Sequence, residues 1–400
     1  MAAEAPPATA AADPAAARRA AAWSLLALAG GHFATDCCSG IWPVFKTVAH
    51  LDLALAGLIA TVGSMAGNGL QLAFGAFADR GGRRRLLVVG VAAASLVTFV
   101  PWARGSYLAM ALLVMAAQIG SAAFHPSAAG AAATLSRRRA GFLLGLFFAG
   151  GYLGYSLSQF LFTAVYNLST KATPLIALLP FAAAATLALR VPPTRGTADA
   201  GGIDRAAVRR VRASLAALFA VQACTGTVNL TMVFLLPDLL VQRHAARWMA
   251  EGGGHFALVA GGALALLPAG LTADRWGARG ALTVANLASV VWLVWLLSRG
   301  TASPVDLLLV LGFGVFNGVN SVVAVSEGSR LLPGHVSAVS ALLMGLPWVV
   351  AALGPVIAGL LADPRRGGTP AWALGCFALL IPLALLAARF VRPRAEQRAA

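Results

Sequence analysis

Charge is scarce in this sequence. Charged residues fill 11% of its 400 positions and hydrophobic residues 59%, whereas an ordinary soluble domain has about 25% charged residues. A water-facing surface cannot be built from so few charges, so lipid has to replace water over most of the outer face. Acids are the scarcer sign: 14 Asp+Glu stand against 30 Lys+Arg, a formal net charge of +16. Lysine is nearly missing, with only Lys46 and Lys171. The basic residues are not interleaved with aromatics, which excludes a nucleic-acid surface; they fit loop charges that orient a chain in a bilayer. The four cysteines, Cys37, Cys38, Cys224 and Cys376, lie in apolar segments without zinc-site spacing. H-E-x-x-H, G-x-S-x-G and G-x-x-x-x-G-K-[ST] are all absent, so zinc-protease, serine-hydrolase and nucleotide-driven chemistry find no support. No enzyme activity, cofactor or metal is expected.

Long apolar runs are what the sequence has in quantity. A spanning helix takes about 20 mainly apolar residues, because hydrocarbon offers no partner to an unpaired backbone group. Twelve segments qualify, at 22–46, 53–78, 86–103, 106–131, 140–165 and 173–190, then 213–236, 254–273, 281–298, 305–327, 336–361 and 371–390. The expected domains are a disordered cytoplasmic tail (1–21), an N-terminal six-helix bundle (22–190), an Arg-rich cytoplasmic linker (191–212), a C-terminal six-helix bundle (213–391) and a short cytoplasmic tail (392–400). Twelve spans leave Lys46, Arg104, Lys171, Arg243, Arg247, Arg299, Arg365 and Arg366 on one side and all other basic residues on the opposite one. The positive-inside rule then puts both termini in the cytoplasm and the protein in the cytoplasmic (inner) membrane.

The two halves share a motif. Gly75, Asp79, Arg80 and Gly82 follow span 2 in the pattern G-x-x-x-D-R-x-G, with Arg83 next; Gly270, Asp274, Arg275 and Gly277 repeat it after span 8, 195 residues later. Gly75 is expected to let another helix approach closely, Gly82 to permit a tight turn, and Asp79 to cap the positive N-terminus of a neighbouring helix. The start of span 11, near His335, is the expected partner of Asp79; the start of span 5, near Ala140, is that of Asp274. A duplicated six-helix unit is an architecture of secondary transporters.

This loop resembles the signature of the major facilitator superfamily, and its second copy strengthens the likeness. The resemblance implies an all-α polytopic fold of two pseudo-symmetric six-helix bundles, alternating access, a small-molecule substrate, a surround of membrane lipid and a monomer. A narrower likeness runs along most of the chain. Gly31-His32-Phe33-Ala34-Thr35-Asp36, Phe124-His125-Pro126, Gly150-Gly151-Tyr152-Leu153-Gly154 and Leu331-Leu332-Pro333-Gly334 resemble the fosmidomycin-resistance family, which implies proton-coupled drug efflux by an antiporter. Ser127, Tyr152, Leu72 and Ser158-Gln159 depart from that family's pattern. A proton symporter for uptake of a metabolite, or a membrane sensor on a transporter fold, are the competing readings.

Polar residues inside spans are costly and face a cavity or another helix. They recur here at helical spacing: His32 and Asp36 in span 1; Gln118, Ser121 and His125 in span 4; Gln222, Thr225 and Asn229 in span 7; Asn317, Asn320 and Glu327 in span 10. Asp36, His32, His125 and Glu327 are the proton-coupling candidates, with His125 expected near the cytoplasmic end of span 4 rather than at the centre. Gln118, Ser121, Gln222, Thr225, Asn229, Asn317, Asn320 and Tyr152 are the cavity candidates. The 195-residue offset maps Asp36 onto Thr231 and His125 onto Asn320, which concentrates titratable groups in the first half.

Overall fold

Each pass forms where an apolar run can close its own backbone hydrogen bonds, and each ends where a cap, a proline or a glycine interrupts it. The computed structural model describes residues 14–135, 140–192, 205–332, 339 and 341–392, and every element among them is helical. The first pass is α1 (Pro14–Ser39) continued, after a break at Gly40, by α2 (Ile41–Val48). It starts earlier than expected, so part of the segment assigned to a disordered tail is helical. Next comes α3 (Leu53–Phe77), its first turn capped by Asp52, which accepts from the Leu55 amide at 3.0 Å. The third pass is α4 (Arg83–Ala94) tightened into a 3₁₀ stretch, Ser95–Ala103. Then follow α5 (Tyr107–Thr134), α6 (Ala140–Leu168) and α7 (Leu178–Arg190), the last entered through a 3₁₀ stretch, Thr170–Ala177.

The second half opens with α8 (Arg205–Gln242), whose first turns occupy part of the expected linker. α9 (Gly254–Ser298) is two passes joined through Gly277, which is non-helical at φ 75° and ψ 160°. α10 (Pro304–Leu331) begins with a capping box between Ser303 and Asp306. The eleventh pass is a π-turn, Ala341–Gly345, followed by α11 (Leu346–Ala351) and α12 (Gly354–Leu361); the twelfth is α13 (Pro370–Ala378) with α14 (Leu380–Ala388). Among the described residues, nine stretches are long and apolar enough to cross a membrane. The other passes carry polar side chains: His32 and Asp36 in the first, Tyr152 and Gln159 in the fifth, His255 in the eighth.

Three apolar cores hold the bundle. One belongs to the first half, around Leu28, Leu87, Phe124, Phe147 and Leu187, and one to the second, around Leu218, Leu282, Val323 and Leu343. The third joins the halves at one end of the molecule through Ile41, Phe45 and Phe162 on one side and Phe234, Leu236 and Phe313 on the other. Glycine makes this contact close: a Cβ on Gly57 would lie 2.3 Å from Pro355 O, and one on Gly359 would lie 2.1 Å from Leu53 O. Thr61 Oγ1 donates to Ala352 O at 2.7 Å and accepts from the Val356 amide at 3.2 Å.

Charges close the same end. Lys46 and Thr47 of α2 bind the Asp238 carboxylate of α8, and the fully buried Lys46 ammonium also lies 4.5 Å from the Phe234 ring centre. Arg365 pairs with Asp52 at 2.9 Å. Arg247 bridges Glu251, at 2.7 Å, and Asn167, at 2.6 Å.

The duplicated loops occupy the opposite end and correct one expectation. The positive φ of the first copy falls on Gly81 (99°), not on Gly82, whose missing side chain instead makes room for the Phe77 ring. Among the described residues, nothing lies within 4 Å of a Cβ placed on Gly75 or Gly270. Asp274 pairs with Arg330 at 2.5 Å, within its own half. The Asp79 side chain, residues 333–338 and the side chains of 140–142 lie outside the described residues, and so do the expected helix-end contacts of both aspartates.

Candidate functional site

His32 and Asp36 lie one turn apart on α1, and α6 is shaped to receive them. Gly150 and Gly154 bring its backbone against Ala29 O and Phe33 O, at 2.6 Å and 2.2 Å from where their Cβ atoms would be. Gly151 leaves space for the His32 imidazole itself, 2.3 Å from its own absent Cβ. That ring stacks on Phe147 with centroids 4.2 Å apart. From α5, His125 completes the group. His32 Nε2 is 3.2 Å from Asp36 Oδ2, and His125 Nε2 is 3.3 Å from Asp36 Oδ1.

The backbone decides the tautomers. His32 Nδ1 is 2.8 Å from Phe147 O and His125 Nδ1 is 2.7 Å from Ser121 O. A carbonyl only accepts, so each Nδ1 is the donor, and both Nε2 atoms face the carboxylate. The placement of His125 corrects the expectation that it stands apart from the central site.

His32 and Asp36 border a cavity of about 250 Å³ between the halves. His32 and Asp36, with Phe148, Tyr152 and Tyr155 of α6, form the wall from the first half. Thr225 and Asn229 of α8, Asn317 and Ser321 of α10, and Trp348 of α11 form the wall from the second. The first wall is acidic and aromatic; the second is uncharged, its amides and hydroxyls set among Val233, Leu258 and Val259.

Four expected cavity residues lie elsewhere. Gln118 and Ser121 border a separate pocket of about 20 Å³ behind α1. Gln222 holds the cavity wall from behind, accepting from Ser321 Oγ at 3.2 Å and donating to Leu343 O at 3.3 Å. Asn320 is fully buried and accepts from Asn286 Nδ2 at 2.7 Å, an interhelical clasp. Glu327 is also away from the cavity, buried 3.7 Å from Arg330 near the Arg330–Asp274 pair. Thr225, Asn229, Asn317 and Tyr152 stand where expected. Tyr155 and Trp348 were missed. Tyr155 follows Tyr152 at i+3, a spacing that could have flagged it, whereas nothing local marks Trp348.

A sequence profile of the Major Facilitator Superfamily matches residues 23–261. The chain belongs to the Major Facilitator Superfamily. It is 23% identical over 368 residues to an uncharacterized MFS-type transporter, YfnC, of Bacillus subtilis (strain 168), covering 86% of this chain and 87% of that one. Among solved structures, a point mutant of the nucleoside transporter NupG superposes with a TM-score of 0.75 at 12% identity, covering 92% of this chain and 99% of that one. A bacterial homologue of the human lysosomal transporter Spinster, inward-facing and occupied, gives a TM-score of 0.73 at 13% identity, covering 95% and 97%. At these identities the neighbours establish the fold: two six-helix bundles of an integral membrane protein.

Proposed function

We propose that the protein is a proton-coupled antiporter that exports a small molecule across the cytoplasmic membrane by alternating access. The observation that carries this reading is the division of the cavity: the acid–imidazole group stands on one bundle and the neutral amides and hydroxyls on the other. Asp36 carries the proton, His32 and His125 share it, and Thr225, Asn229 and Asn317 bind the substrate with Tyr152 and Tyr155. With the arginine-rich loops in the cytoplasm, the end closed by Lys46–Asp238 faces outward and the molecule rests in its inward-facing state. Proton entry from outside then awaits the opposite state, in which that end opens. One charge crossing the membrane is worth about 2.3 kcal/mol per 100 mV, enough for a single carboxylate to support useful accumulation. The fosmidomycin-like motifs point to a drug-like substrate and a monomeric exporter.

The test is flux in proteoliposomes under an imposed pH gradient, with the substrate chosen by screening toxic compounds against a deletion strain. Outward substrate movement coupled to inward proton movement is expected. Asp36→Asn should keep downhill exchange and lose uphill transport. Uphill transport by Asp36→Asn at the normal rate removes Asp36 as the coupling group, and co-transport of proton and substrate in one direction replaces antiport with uptake.

A further inference from the structure

We propose that His32, Asp36 and His125 form a binding site for a divalent transition-metal ion of the zinc class, with its open coordination position on the cavity. Their ligand atoms all lie within 4.8 Å of one another. Zinc binds imidazole nitrogen and carboxylate oxygen at about 2.0–2.2 Å. Tetrahedral geometry at that bond length sets donors about 3.3–3.5 Å apart, and the two contacts to Asp36 measure 3.2 Å and 3.3 Å. These contacts run to different oxygens, Oδ2 and Oδ1, and the donor atoms are at most 4.8 Å apart, so the three side chains surround an ion by closing in on it.

The surroundings are those of metal ligands. Each imidazole donates its Nδ1–H to a backbone carbonyl, Phe147 O or Ser121 O, which is the outer-shell bond that orients a ligating histidine and raises its basicity. With both imidazoles neutral, those bonds leave two Nε2 lone pairs facing the carboxylate, three electron-rich donors. One added proton satisfies a single histidine–aspartate contact. One metal ion satisfies all three donors at once. His32 and Asp36 at i and i+4 present their donors from one helix face, and His125 reaches them from α5.

The donor set selects the ion. Two imidazoles and one carboxylate suit zinc, cobalt, nickel or ferrous iron, whereas calcium and magnesium require mainly oxygen. His32 and Asp36 line the cavity, and the Asp36 side chain is 16% exposed, so the site meets the cavity. Water, or a donor atom of a bound molecule, completes the coordination there, which makes metal-chelating anions a substrate class to include in screening. The inference concerns the cluster discussed above but rests on its donor geometry alone, independent of transport direction and of coupling.

The experiment uses tag-free full-length protein in lipid nanodiscs, stripped with chelator and titrated with Co²⁺ and Zn²⁺ near neutral pH. One Co²⁺ per chain is expected, with the visible absorption of a low-coordinate nitrogen/oxygen site, displaced by Zn²⁺. Asp36→Asn and His125→Gln should each lower affinity by more than the roughly 10–100-fold typical of outer-shell changes. His50 and His244 lie in the turns after α2 and α8, away from the cluster, and the loop variant His50→Gln/His244→Gln should bind as the unaltered protein does. Absence of saturable binding, binding retained in both ligand variants, or binding lost in the loop variant overturns the inference. Should a ligand variant fail to fold, X-ray absorption on the cobalt-loaded protein decides, and a first shell without imidazole overturns it. Failed metal binding with intact gradient-driven flux removes the ion and leaves proton coupling standing; metal binding without such flux does the reverse.

Discussion

Asn320 occupies the repeat position of His125, yet the two side chains do different work. His125 reaches across to Asp36 on the cavity wall, whereas Asn320 is locked to Asn286 inside its own bundle. Both were legible as polar residues on a spanning helix, but which face met the cavity was not, because helix rotation is set by packing against other segments. The difference is measurable. Interhelical hydrogen bonds in membranes contribute about 0.6–1.7 kcal/mol, so Asn320→Ala should lower thermal stability by an amount of that order and leave substrate binding unchanged. Asn229→Ala on the cavity wall should weaken substrate binding with little change in stability. Paired melting and binding curves check both.

At the scale of elements, glycine decides where helices meet. The signature-loop glycines attract attention in the sequence, yet among the described residues nothing lies within 4 Å of a Cβ placed on Gly75 or Gly270. The close crossings belong to Gly57 and Gly359 at the α3–α12 contact, and to Gly150 and Gly154 between α1 and α6. The α6 run was visible as a motif; Gly57 was not, since an isolated glycine in an apolar run has no local mark. A valine at 57 would drive its Cβ into Pro355 O, backbone that cannot swing away. Gly57→Val should therefore hold the α3–α12 end open and trap the transporter in the opposite state. A thiol reporter introduced as Asn229→Cys should label faster from the Lys46 side in that background, and transport should fall at least about tenfold, equivalent to ~1.4 kcal/mol of bias. Unchanged labelling means that the α3–α12 crossing does not control access.

Across the whole molecule, the closed end is held by apolar packing and by an ion pair buried within it. Removing one partner of a buried pair leaves an uncompensated charge and costs about 3–5 kcal/mol, whereas replacing both by apolar groups is often neutral or stabilising. Lys46→Met alone and Asp238→Leu alone should each open this end and destabilise the protein, while the double variant recovers stability and slows exchange between states. Denaturation curves and two-sided thiol labelling separate these outcomes; a double variant no better than the singles argues against direct pairing. Lys46, counted among the outer loop charges, instead sits fully buried in α2. The sequence by itself determined the solvent, the number of passes and their duplication, because hydrophobic run length, loop charge and a repeated motif are local quantities set by the bilayer. It also showed which spans carry polar side chains. Only the tertiary structure decided that His32, Asp36 and His125 share one site, that Lys46 meets Asp238, and that Glu327 stays away from the cavity. Those pairings depend on helix rotation and tilt, which arise from packing between segments far apart in the chain and leave no periodicity within any one of them.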